Sequence, residues 1–131
     1  MNPRQRVVAF LLIASINTAF ADWSKVTTSY QSTSYADLNS IKVNGNMATM
    51  DALIDYNKVP FDGNNLPYLS VKMRAEYNCA TKQFRTLKLT SYSGHMASGE
   101  QPYTSAEPTE WQTVLTKYTQ DAFWETACKK K

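Results

Sequence analysis

Histidine and cysteine are scarce in this chain, with one of the first and two of the second in 131 residues. A structural zinc site usually needs four such ligands, so a zinc-built fold is excluded. Glycine is scarce as well, four in all, and no Gly-rich phosphate loop, G-x-S-x-G or H-E-x-x-H pattern occurs. The longest apolar run, Val7 to Ile16, is about half the roughly 20 residues a membrane-crossing helix requires. Neither sign of charge dominates: 14 Lys+Arg stand against 11 Asp+Glu. No basic stripe interleaved with aromatics appears, so a nucleic-acid partner is not expected. The length suits one domain, and 43% hydrophobic content with 19% charged residues argues against wholesale disorder.

What is present begins with an address. Arg4 and Arg6 precede the short apolar run, and Ala19-Phe20-Ala21 follows it. A charged start, an apolar middle and a small-residue exit describe a secretory signal peptide over residues 1–21, cleaved between Ala21 and Asp22. No cysteine follows the run, so a lipid anchor is not expected. The mature domain, 22–131, would then reside in the periplasm, at the outer-membrane surface or outside the cell. Losing Arg4 and Arg6 leaves 12 basic against 11 acidic groups, a net charge of +1 that Lys129, Lys130 and Lys131 alone supply.

Cys79 and Cys128 both lie in the mature part. In an oxidising compartment an isolated pair of this kind is joined. Such a bridge closes a loop of about 50 residues, worth roughly 4 kcal/mol by chain entropy. A redox pair would need close spacing such as C-x-x-C, which is absent.

Hydrophobic periodicity supplies the rest of the frame. Leu69 to Cys79 alternates without error: Leu69, Val71, Met73, Ala75, Tyr77 and Cys79 share one face, while Ser70, Lys72, Arg74, Glu76 and Asn78 share the other. This is the half-buried pattern of an antiparallel sheet. Arg85 to Tyr92 is the next strand. A five-residue loop, Ala80 to Phe84, would match the faces by setting Tyr77 opposite Leu87, Ala75 opposite Leu89 and Glu76 opposite Lys88. Upstream, Asn39 to Val43 and Asn46 to Tyr56 flank Asn44-Gly45, a strong hairpin signal. A first strand is expected over Trp23 to Tyr30, a loop over Val59 to Pro67, and a last short strand near Tyr103. In Gln120–Cys128 the period changes. Phe123, Trp124, Ala127 and Cys128 fall within an arc of about 140° on a helix, with Thr119 as N-cap and the terminal lysines facing the helix C-terminus. One helix laid across one antiparallel sheet, an α+β architecture, follows.

These residues resemble the surface-adhesin protein E-like family of small exported bacterial domains. Tyr77-Asn78-Cys79, Phe84-Arg85-Thr86-Leu87, Ser91-Tyr92-Ser93-Gly94, Gly99, Trp111-Gln112-Thr113-Val114 and Ala127-Cys128 carry the likeness. Tyr35-Ala36-Asp37, Ser40-Ile41 and Asp55-Tyr56 are similar too. The resemblance implies about six antiparallel strands with a C-terminal helix tethered to one face by a disulfide. It also implies a cell-envelope protein binding host extracellular-matrix or serum proteins.

Candidate sites are few. His95, in the stretch Ser93 to Gly99, reads as an exposed loop histidine with no orienting partner evident. With Met96 it forms the one candidate ligand pair for haem iron, which a carrier of a small hydrophobic ligand would seat between helix and sheet. Asp51 and Asp55 share a strand face but stand roughly 13 Å apart, too wide for paired glycosidase carboxylates. No metal site, cofactor or catalytic group is assigned, and an enzyme is not expected. Eight tyrosines and three tryptophans favour a binding role. The polar face of Lys72, Arg74, Glu76 and Lys88, or an exposed sheet edge, is the candidate surface for a protein partner or a second copy of the chain.

Overall fold

The computed structural model describes residues 21–60 and 67–129. Residues 1–20 of the expected leader, most of the Val59–Pro67 loop, and Lys130 with Lys131 lie outside the described residues. Seven strands form one antiparallel sheet: β1 (Trp23–Thr28), β2 (Ser32–Asn44), β3 (Met47–Tyr56), β4 (Ser70–Asn78), β5 (Gln83–Tyr92), β6 (Tyr103–Ser105) and the two-residue β7 (Gln112–Thr113). The first six lie side by side in chain order, and β7 pairs with the start of β5. The helix α1 (Thr119–Cys128) packs on one face of the sheet and touches β1 to β4.

That face is built from small residues and a few large ones. Across the ladder, Ala36, Ala52, Met73 and Leu89 stand in one row, Ala48, Tyr77 and Phe84 in another. Ala36, Ala48, Ala52 and Ala75 are at most 1% exposed. Their short side chains leave room for the helix to approach, and Phe123 and Ala127 of α1 fill it completely. Trp124 and Cys128 complete the expected apolar arc. Cys128 is bonded to Cys79, with Cα atoms 5.7 Å apart.

The β4–β5 connection departs from the expected one. The loop is Cys79 to Lys82, and the observed pairs are Tyr77–Phe84, Glu76–Arg85, Ala75–Thr86, Arg74–Lys88 and Met73–Leu89. The conflict of faces that a four-residue loop creates is removed by a bulge at Leu87, whose extra residue restarts the alternation. Asn78 selects this turn: its Oδ1 accepts the N–H groups of Ala80 and Thr81 at 3.0 and 3.1 Å. Glu76 therefore pairs with Arg85, not Lys88.

Four further details correct the expected outline. The first half of β2, Ser32 to Leu38, was not expected as a strand, because the residues it buries are Ser32, Ser34 and Ala36 and carry no apolar period. The β2–β3 turn residues are Gly45-Asn46, with left-handed φ at Gly45 alone, the glycine-first pattern of a II′ turn. The helix N-cap is Tyr118, one residue before Thr119, with no side-chain cap bond; the C-cap is Lys129 and the last turn holds no basic residue. β7 carries too short a signal to be read.

The sheet edges differ. β6 covers the end of β5, β7 covers its beginning, and between them Thr109 N donates to Thr86 O while Thr86 N donates to Thr109 Oγ1, both at 2.9 Å. At the opposite side β1 carries a bulge at Val26, between Lys25 and Thr27, a feature that discourages strand addition.

Two tests follow from this packing. Ala52→Leu adds volume where the helix has no room, and we expect a loss of about 1–3 kcal/mol in denaturant unfolding. Tyr77 is fully buried, its hydroxyl has no hydrogen-bond partner among the described residues, and burial pushes its pKa up. A phenol held neutral by folding contributes stability below its unfolded pKa, and that stability is lost as pH rises beyond about 10. Tyr77→Phe should therefore match or exceed the wild-type melting temperature at pH 7 and lose less of it at alkaline pH.

Candidate functional site

With α1 on one face, the other face of the sheet is left to polar residues. Its rows read directly from the register. Trp23, Asp37, Asp51, Arg74 and Lys88 stand side by side across β1 to β5; Lys25, Tyr35, Leu53, Lys72, Thr90 and Thr104 form the next row, reaching β6. Alternation on β4 and β5 puts these side chains opposite the helix because the apolar partners at Met73, Ala75 and Leu89 are used on the other side.

The structure brings three of the four expected surface residues together. Lys72, Arg74 and Lys88 line a hollow of about 320 Å³ with Asp51, Thr90, Tyr92, Gln101 and Thr104. Arg74 makes a two-pronged ion pair with Asp51, Nε to Oδ1 at 2.8 Å and Nη2 to Oδ2 at 3.2 Å, which raises the guanidinium pKa. Lys72 and Lys88 have no carboxylate partner among the described residues. Glu76 is drawn away from the hollow: its Oε1 accepts Arg85 Nε at 2.9 Å, and Arg85 also stacks over the Trp111 ring at 4.9 Å. Gln101, Tyr92 and Thr104 were not among the expected site residues. They come from β5, β6 and the segment before β6, and no local pattern announces that they meet.

Asp51 and Asp55, too far apart to work as a pair, are each engaged elsewhere. Asp55 Oδ1 lies 3.2 Å from His95 Nδ1 and accepts the Met96 backbone N–H at 2.8 Å. Ser70 Oγ donates to Gly94 O at 2.6 Å and accepts Ala97 N–H at 2.9 Å. These bonds dock the 93–100 loop on the outer face, so His95 has the orienting partner that the sequence did not reveal. Met96 and Ala97 hold left-handed φ of 54° and 59°. His95 and Met96 thus lie on the opposite side of the sheet from α1. The helix–sheet layer is filled by Tyr77, Phe123 and Met50, each at most 1% exposed. A ligand seated there cannot be reached by His95. No hydroxyl or thiol among the described residues bonds its second ring nitrogen.

A small α+β domain with one face under a disulfide-tied helix and the other charged and rimmed by the 93–100 loop is the result. The family profile described as surface-adhesin protein E matches residues 23–129, and the chain belongs to that family. It is a protein of the surface-adhesin type, exported or surface-associated. Among solved structures, protein E of Haemophilus influenzae in crystal form II is similar at 14% identity, with a TM-score of 0.63, over 86% of this chain and 91% of that one. Protein E from non-typeable Haemophilus influenzae is similar at 15% identity and a TM-score of 0.54, over 86% and 80%. These likenesses concern the fold. No curated protein matches the chain. Among the described residues no helix is long and apolar enough to cross a membrane.

The Arg74–Lys88 juxtaposition is testable. Like charges directly opposite on neighbouring strands destabilise a sheet by a few tenths of a kcal/mol. Lys88→Gln should raise the melting temperature slightly at low ionic strength, and the gain should vanish near 1 M salt, where screening is short-ranged.

Proposed function

We propose that this chain is an exported, non-enzymatic binding protein whose outer sheet face docks a protein of the host extracellular matrix or serum. Residues 1–21 direct export and are removed after Ala21, leaving a mature domain from Asp22. The observation that carries the reading is the family match across 23–129, on a chain whose outer sheet face carries no helix among the described residues. Arg74, with its side chain 60% exposed, and the exposed Lys72 and Lys88 form the docking patch with the hollow between them. Glu76, held by Arg85, borders it. A carrier of haem or a similar apolar ligand is disfavoured, because His95 and Met96 stand on the face away from the helix.

The test combines export with binding. Protein recovered from the producing cells should begin at Asp22 by N-terminal sequencing. The same material should bind immobilised host matrix or serum proteins saturably in biolayer interferometry. Lys72→Glu with Lys88→Glu should cut that binding at least about tenfold, as loss of charge-assisted contacts does. Binding by neither the wild type nor any surface variant would contradict the reading.

A further inference from the structure

Charge on this protein is distributed in a way its composition does not require. The mature chain is nearly neutral, yet three cations crowd one hollow. Arg74 is directly opposite Lys88, and Lys72 is two residues from Arg74 on the same face. Such positions stand about 5–8 Å apart. Elsewhere in the described residues Lys82 is paired with Asp121 and Arg85 with Glu76. In the hollow one carboxylate, Asp51, is already spent on Arg74, and a local excess of two positive charges is left. An uncompensated cluster works against folding and in favour of an anion.

The remaining lining says which anion. The Thr90 and Thr104 hydroxyls are hydrogen-bonded to each other at 3.1 Å, leaving further donor and acceptor capacity on the pair, and Gln101 adds an amide. The one aliphatic lining residue, Met73, is 6% exposed and packs with the helix-side core. The aromatic lining residue, Tyr92, is likewise only 7% exposed, so the hollow offers little apolar surface of the kind that anchors a protein epitope. A polyhydroxylated, permanently ionised chain needs what is here: cations for its sulfates, with hydroxyl and amide groups for its ring oxygens.

We infer that the outer-face hollow binds the sulfated polysaccharide chains of a host matrix proteoglycan, with Lys72, Arg74 and Lys88 taking the sulfates and Thr90, Thr104 and Gln101 the sugar hydroxyls. This rests on the reading that the outer face is the docking face. It specifies the chemistry of the partner there.

The probes are heparin and fully desulfated heparin, with decellularised matrix before and after heparinase digestion. Mature protein should bind heparin and not the desulfated chain. Lys72→Gln with Lys88→Gln should weaken heparin binding at least about tenfold, and heparinase should remove matrix binding. Gln101→Ala is a second variant, free of charge change, expected to weaken heparin binding at unchanged melting temperature. Replacing Lys129, Lys130 and Lys131 by glutamine should leave binding unaltered. Loss of binding in that tail variant alone, or indifference to sulfation, overturns the inference. If matrix binding survives heparinase and still falls in the lysine variants, the inference fails and the outer face binds protein. If matrix is not bound at all, the docking reading fails with it.

Discussion

Helix α1 has ten residues, no side-chain cap and therefore little stability of its own, since isolated helices of that length are marginal in water. It is held because its attachments converge on one turn of the sheet. Cys128 is bonded to Cys79. Trp124 Nε1 donates to Asn78 O at 3.1 Å, the carbonyl that also accepts Lys82 N–H at 2.9 Å. Lys82 reaches Asp121 at 3.2 Å and lies 5.2 Å from the centre of the Trp124 ring. Asn78 thus shapes the β4–β5 turn and fastens the helix at the same carbonyl. The covalent bond closes a loop of about 50 residues, and roughly 4 kcal/mol of chain entropy is a large share of an ordinary domain's stability.

Fixing the helix there divides the sheet into two chemistries. Beneath it, alanines at 36, 48, 52 and 75 make a shallow seat for Phe123 and Ala127. The opposite face is largely relieved of core duty, although Leu53 is fully buried between Tyr35 and Lys72 in its row and Tyr92 is buried at the edge of the hollow. Ionisable groups can accumulate there at low desolvation cost, and they do so as a ladder of carboxylates and cations. The loop at 93–100 is docked onto the same side through Asp55 and Ser70, so the outer face has a rim as well as a floor.

Much of this was legible from residue order, and what was not has particular causes. The strands at Leu69–Cys79 and Arg85–Tyr92 show because their buried positions are apolar and period two is strict. Ser32, Ser34 and Ala36 do the same work with small side chains, so the first half of β2 was silent. The Cys79–Cys128 tie followed from an isolated cysteine pair in an exported chain, and the apolar arc of α1 from helical spacing. The pairing of β4 with β5 was misjudged because a bulge at Leu87 is equivalent, in a pattern, to one more loop residue. Lys72, Arg74 and Lys88 were recognised as a wet face, but the hollow they share depends on β6 swinging Gln101 and Thr104 alongside. Asp55 and His95, 40 residues apart, carry no mutual signal in sequence.

The claim on which the rest depends is that the disulfide holds α1 on one face and thereby leaves the other free. Hydrogen–deuterium exchange of the mature protein, oxidised and then reduced, examines it directly. On reduction we expect amides of 119–128 to lose protection first and most, by at least about tenfold, while β3, β4 and β5 remain protected. Equal helix protection in the two states would contradict it.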